Sequence, residues 1–142
     1  MYNLQQTFQL TGFGIFDFSW VLNDKRDDSE DAQARARAKF YFELLEIYDY
    51  PPSRVEFDVI APGRKIADIV VYSDSAHTKP FLVAQCREDW IRDEVFVVEC
   101  SELMDMARAM QAAYCVCIAG SRRRIVRLAD EEDLRVLPAW QG

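Results

Sequence analysis

No run of apolar residues in the 142-residue chain approaches the roughly 20 that a helix needs to cross a bilayer, so no membrane span is expected. The opening MYNLQQTFQL has neither a basic n-region nor an apolar h-region, and no signal peptide is expected. His77 is the one histidine, which excludes a His-based metal cluster, and in its Ser/Asp-rich loop it reads as a turn residue. The four cysteines, Cys86, Cys100, Cys115 and Cys117, lack the CxxC pairing of a zinc site. Cys115 and Cys117, in YCVCIAG, share a strand face and read as small buried thiols, which suits a reducing cytoplasm. No Walker loop is present, and GFG lacks the strand-to-helix setting of a dinucleotide-binding turn. Basic residues are in deficit, 17 against 24 acidic, for a net charge of −7. That balance excludes a general basic nucleic-acid coat while leaving room for a local basic site beside an acidic metal site.

What is present suits one domain with a real core. Half the residues are hydrophobic, with nine Phe, six Tyr and three Trp. TFQLTGFGIFDFSWVL reads as extended structure, an N-terminal hairpin addition within residues 1–22. After the charged loop NDKRDDSED, the pattern EDAQARARAKFYFELLEIYDY predicts a helix, with Ala36, Phe40, Leu44 and Tyr48 at i+4 steps and Pro51–Pro52 ending it. Three strands follow: RVEFDVIA, KIADIVVY and PFLVAQC, the last two apolar enough for burial on both faces. REDWIRDEVFVVEC reads either way, as a loop with a short strand at VFVVE among the options. SELMDMARAMQAAY predicts a helix capped by Ser101, with Leu103, Met106, Ala107 and Met110 on one side. YCVCIAG and RRRIVRLAD form a hairpin about Gly120–Ser121, and the tail is expected to pack Leu137 and Trp140 onto the body. The sum is an α/β domain with a mixed β-sheet flanked by helices.

Period-two parity assigns strand faces. In the first strand it groups Val55, Phe57 and Val59 against Glu56, Asp58 and Ile60. In the second it groups Ile66, Asp68, Val70 and Tyr72, and in the third Phe81, Val83, Gln85 and Arg87. Pairing across SDSAHTKP brings Asp68 near Gln85, so one face of the hairpin is expected to present Asp68, Gln85 and Arg87 at its open end. A plain reading is a salt bridge between Asp68 and Arg87 that closes the sheet end.

RKIADIVVYSDSAHTKPFLVAQCR resembles the PD-(D/E)XK nuclease core, most closely the N-terminal nuclease domain of type I restriction enzyme R subunits. The resemblance spans roughly residues 28 to 128 and includes the element order: an acid- and Arg-bearing helix, a strand, the R-x-D-I-V-V-Y strand, the kPxxVxExK strand, then a helix and a strand ending in Gly. It implies a restriction-endonuclease-like core and Mg²⁺-dependent hydrolysis of DNA. Asp68 matches the first metal-binding aspartate, Gln85 the second acidic ligand and Arg87 the lysine. Glu30 or Asp31 on the first helix, or Glu56 on the first strand, matches a further acid. A Gln carbonyl still ligates metal, with less charge to offer. Arg87 stays protonated, so it holds phosphate and cannot serve as a base. Lys65 has the opposite parity to Asp68, and Lys79 lies at the turn, so neither replaces the lysine. The Gln-x-x-x-Tyr pattern of R subunits falls on Glu102 and Met106. The implied site is therefore one whose chemistry is weakened or lost.

Arg122, Arg123, Arg124 and Arg127 in SRRRIVR read as phosphate contacts or as a charged edge strand. Two functions stay open: a Mg²⁺-dependent endonuclease-like domain with DNA as partner, or a non-catalytic nucleic-acid- or protein-binding module on the same fold, with a homo-oligomer also compatible. The R-subunit motor has no counterpart in these residues, so any cleavage would be stand-alone or rely on another chain.

Overall fold

The computed structural model describes residues 29–141, with side chains described from Ala32 onward. The hairpin expected over 1–22 lies outside the described residues. Helix α1 spans Ser29–Glu46, built from Ala, Arg, Gln, Lys and Leu, all strong helix formers. It was expected to run to residue 50 and stops four residues earlier. Asp49 turns into the left-handed region at φ 60°, ahead of Pro51, and directs the chain toward the sheet.

Strands β1 (Val55–Ile60), β2 (Ile66–Tyr72) and β3 (Pro80–Arg87) form an antiparallel meander. Its register runs Val55↔Val71 to Ile60↔Ile66 and centres on Ile69↔Ala84. Helix α2 (Asp93–Ala109) then carries the chain over the sheet, so that β4 (Tyr114–Ala119) pairs parallel with β3. Strand β5 (Arg122–Arg127) returns antiparallel to β4, and the three-residue β6 (Glu132–Leu134) pairs with it. The result is a mixed six-stranded sheet in the order β1-β2-β3-β4-β5-β6. Strand β6 covers only Ile125–Arg127 of β5, so among the described residues the stretch Arg122–Arg124 keeps an open strand edge.

The segment VFVVE is helical, contrary to the strand reading, and Ser101 sits in mid-helix while Arg92 takes the N-cap position. The β-branched run favours extended structure. A parallel β3–β4 connection, however, requires a covering crossover. Phe96, Cys100, Leu103 and Ala107 supply its sheet-facing stripe at i, i+4, i+7 and i+11. Asp93 and Glu94 in the first turn complement the helix dipole.

The sheet separates two cores. On the α1 side Phe40, Tyr41 and Leu44 meet Val55, Ile69, Val71, Leu82, Ala84 and Val116. On the α2 side Leu103, Met106 and Ala107 meet Val70, Val83, Cys115, Cys117 and Val126. All four cysteines are free and buried. The tail packs as expected: Leu137 is buried, Trp140 meets the Tyr50 ring edge-on at 5.8 Å, and the Tyr50 hydroxyl donates to the Pro138 carbonyl at 2.6 Å.

Strict parity fails in β1 and β2. Phe57 packs on the α1 side, yet Val59, two residues on, packs on the α2 side. Ala67 and Val70 share the α2 side although they are three apart. The change of face falls at Asp58, which lies at φ 54°, and at Asp68, which the register sets opposite it. A left-handed residue breaks the pleat that parity assumes.

Candidate functional site

The break in the pleat fixes the surroundings of Asp68. Its side chain is buried, and its Oδ2 accepts the Cys86 backbone N–H at 2.7 Å. Gln33 and Arg37 from α1 face it, with Asp58 nearby. Arg37 in turn donates to Asp58 at 2.7 Å. Burial pushes the Asp68 carboxyl above its ordinary range, only partly offset by the Cys86 amide and Arg37. A carboxyl raised in the fold stabilises it most below the unfolded value near 3.8 and loses that contribution as pH climbs through the raised folded value. Asp68→Asn keeps an acceptor for Cys86 without the buried charge. It is expected to stabilise the fold at pH 7 by about 1 kcal/mol and to bring no gain at pH 3. Urea unfolding at the two pH values measures this, and destabilisation at pH 7 would contradict it.

Gln85 has different neighbours. It shares the α2 side with Val83 and lines a cavity of about 280 Å³ with Lys65, Ile66, Glu99 and Glu102. Its Oε1 is buried and has no hydrogen-bond partner among the described residues. Lys65, set aside by parity, thus lies beside Gln85 rather than Asp68. Glu99 escaped the sequence reading because it lies in the half of α2 that read as loop or strand, three residues before Glu102 of the expected helix. Arg87 ends β3 between two carboxylates, donating to Glu88 at 3.2 Å and to Glu99. The Asp68–Arg87 salt bridge is not among its contacts.

Glu56 stands toward the other end of the hairpin. It takes the Tyr72 hydroxyl, whose pKa is pushed up to about 12 by burial and by this carboxylate. It also lies 3.6 Å from His77 Nδ1. His77 is a turn residue, at φ 57° and stacked on Tyr72 at 4.6 Å. Glu30 falls in the first turn of α1, ahead of the described side chains.

Mg²⁺ needs several hard oxygen donors converging on one point. Among the described residues no group of three or more His, Cys, Asp or Glu is placed to hold a metal. Asp68, Gln85 and Glu56 lie in separate surroundings, Asp68 against α1, Gln85 in the α2-side cavity and Glu56 beside His77, so these three do not offer one donor set that fits the ion.

The four hairpin arginines are also engaged. Arg122 pairs with Asp93 at 2.8 Å, Arg123 with Glu43 at 2.9 Å, Arg124 with Asp133 at 2.8 Å and Arg127 with Asp130 at 2.8 Å. Arg122 also donates to the backbone carbonyls of Asp89 and Ile91, at 2.9 and 2.6 Å, and so ties down the loop between β3 and α2. Within the described residues no helix is long and apolar enough to cross a membrane. No protein-family model, no curated protein and no solved structure matches the chain.

Proposed function

We propose that the chain is a restriction-endonuclease-like domain that binds its ligand without cleaving phosphodiesters. The order helix, three antiparallel strands, helix, parallel strand follows the order that the R-subunit resemblance calls for, which supports the fold assignment. One observation carries the loss of chemistry. Arg87, in the place of the catalytic lysine, lies between Glu88 and Glu99, while the Asp68 carboxylate is turned to the Cys86 amide and α1. A cation matched to two carboxylates has little field left for a developing phosphate charge. The paired hairpin arginines and the net charge of −7 argue against tracking a duplex backbone.

Supercoiled plasmid incubated with the protein in Mg²⁺ or Mn²⁺ tests this. The plasmid is expected to stay intact with the wild type. It is also expected to stay intact with the double variant Gln85→Glu, Arg87→Lys, because restoring the motif letters does not move Asp68. Nicking by either protein that Asp68→Ala abolishes would overturn the proposal.

A further inference from the structure

A second cavity, of about 310 Å³, lies between α1 and the loop that follows β3. Its floor includes Ala32 and Ala36, two small residues one helical turn apart. Arg35 and Lys39 stand beside them at i, i+4, on the same side of the helix. Glu88, Asp89 and Trp90 form the opposite wall.

Three features distinguish this cavity. First, Arg35 Nη1 is buried yet has no hydrogen-bond partner among the described residues. A buried guanidinium nitrogen without an acceptor is costly and calls for an anion. Most arginines of the sheet and of α2 have a carboxylate, and among the described residues Arg35 has none. Second, the wall acids do not cancel the cations. Arg87 also lines the cavity and takes Glu88, which leaves Arg35 and Lys39 against Asp89. Third, Trp90 is 54% exposed on a loop held in place. Arg122 clamps the carbonyls on both sides of it, and Asp89 presses against Gly120. An exposed indole on an anchored loop is a flat platform whose order is already set, so stacking on it loses little entropy.

We propose that this cavity binds a nucleotide through its terminal phosphate, with Arg35 and Lys39 on the phosphate and Trp90 against the base. Arg35 supplies a planar fork for two phosphate oxygens, and Lys39 a mobile point charge. Base stacking on an aromatic tolerates any base identity. The phosphate can belong to a free nucleotide or to the end of a single strand. This supplies a ligand for the binding module proposed above and rests on that reading. The two fail separately, because plasmid nicking tests the chemistry and nucleotide titration tests this cavity.

Calorimetric titration of the full chain with adenosine 5′-monophosphate, adenosine and inorganic phosphate is the test. The nucleotide is expected to bind at least tenfold more tightly than either fragment. Arg35→Gln and Lys39→Gln, neither of which breaks an ion pair among the described residues, are expected to weaken it at least tenfold and fivefold with unchanged circular dichroism. Trp90→Ala is expected to reduce nucleotide binding to the level of inorganic phosphate. Short single strands with 5′-phosphate and 5′-hydroxyl ends assign the source: tighter binding of the phosphorylated strand than of the mononucleotide identifies a strand end, and the reverse identifies a free nucleotide. No binding of either phosphorylated ligand, equal binding of nucleotide and inorganic phosphate, or undiminished binding by Arg35→Gln overturns the proposal.

Discussion

Replacing Gly120 with alanine is expected to destabilise the fold by about 3 kcal/mol, summing a left-handed backbone and an overpacked contact. Gly120 turns the chain from β4 into β5 at φ 65°, a conformation that an L side chain adopts at a cost of roughly 1 kcal/mol. The larger part comes from the neighbour. A Cβ at position 120 would meet the Cβ of Asp89 at 2.3 Å and its Cα at 3.0 Å. Asp89 cannot simply move aside, because Arg122 holds its carbonyl. Gly63 is the internal control. It has φ 83° and nothing within 4 Å of an added Cβ, so Gly63→Ala is expected to cost only about 1 kcal/mol. Denaturant midpoints at constant m-value measure both. Adding Asp89→Gly to Gly120→Ala should recover about half of the loss. If the two alanine variants cost the same, the close approach is not what limits residue 120. The contact matters to the cavity on α1 because it helps hold Trp90 where a base would stack.

The order of elements was legible because it is written in long, redundant signals. Ala36, Phe40 and Leu44 marked α1, and the apolar runs around Val70 and Val83 marked two buried strands. Gly120–Ser121 marked the last hairpin. Two things were not legible. The run VFVVE reads locally as a strand, and only the need to cover a parallel β3–β4 pair makes it a helix, so Glu99 could not be placed on one helix with Glu102. The arrangement of the candidate site depended on strict alternation through Asp58 and Asp68, and one left-handed residue undoes it. Asp58 carried no glycine or proline to announce the break. Residues that share a motif can thus part company when the pleat between them is irregular, which is how Asp68 came to face Gln33 and Arg37 while Gln85 came to lie with Lys65.

Arg87→Ala separates a structural arginine from one waiting for phosphate. Glu88 is only 7% exposed, and Arg87 is its ion-pair partner. Glu99 on α2 takes the other arm of the same guanidinium, so Arg87 joins the end of β3 to the crossover helix. Removing one partner from a largely buried pair leaves an uncompensated charge, and the expected loss is about 3 kcal/mol at pH 7. The loss has a pH signature. Protonating the acids removes the charge that the variant leaves without a partner, so the loss shrinks as pH falls. The gap between wild type and variant should therefore be smaller at pH 4 than at pH 7. Arg87→Lys retains the charge but cannot span both acids with one planar fork, and it is expected to restore about half of the lost stability. Guanidinium melts at pH 4 and pH 7 decide the point. A pH-independent loss would assign the effect to packing of the aliphatic stem. No loss at all would mean that Glu88 and Glu99 do not depend on Arg87, and the guanidinium would then be free to meet an anion in the way the nuclease motif implies.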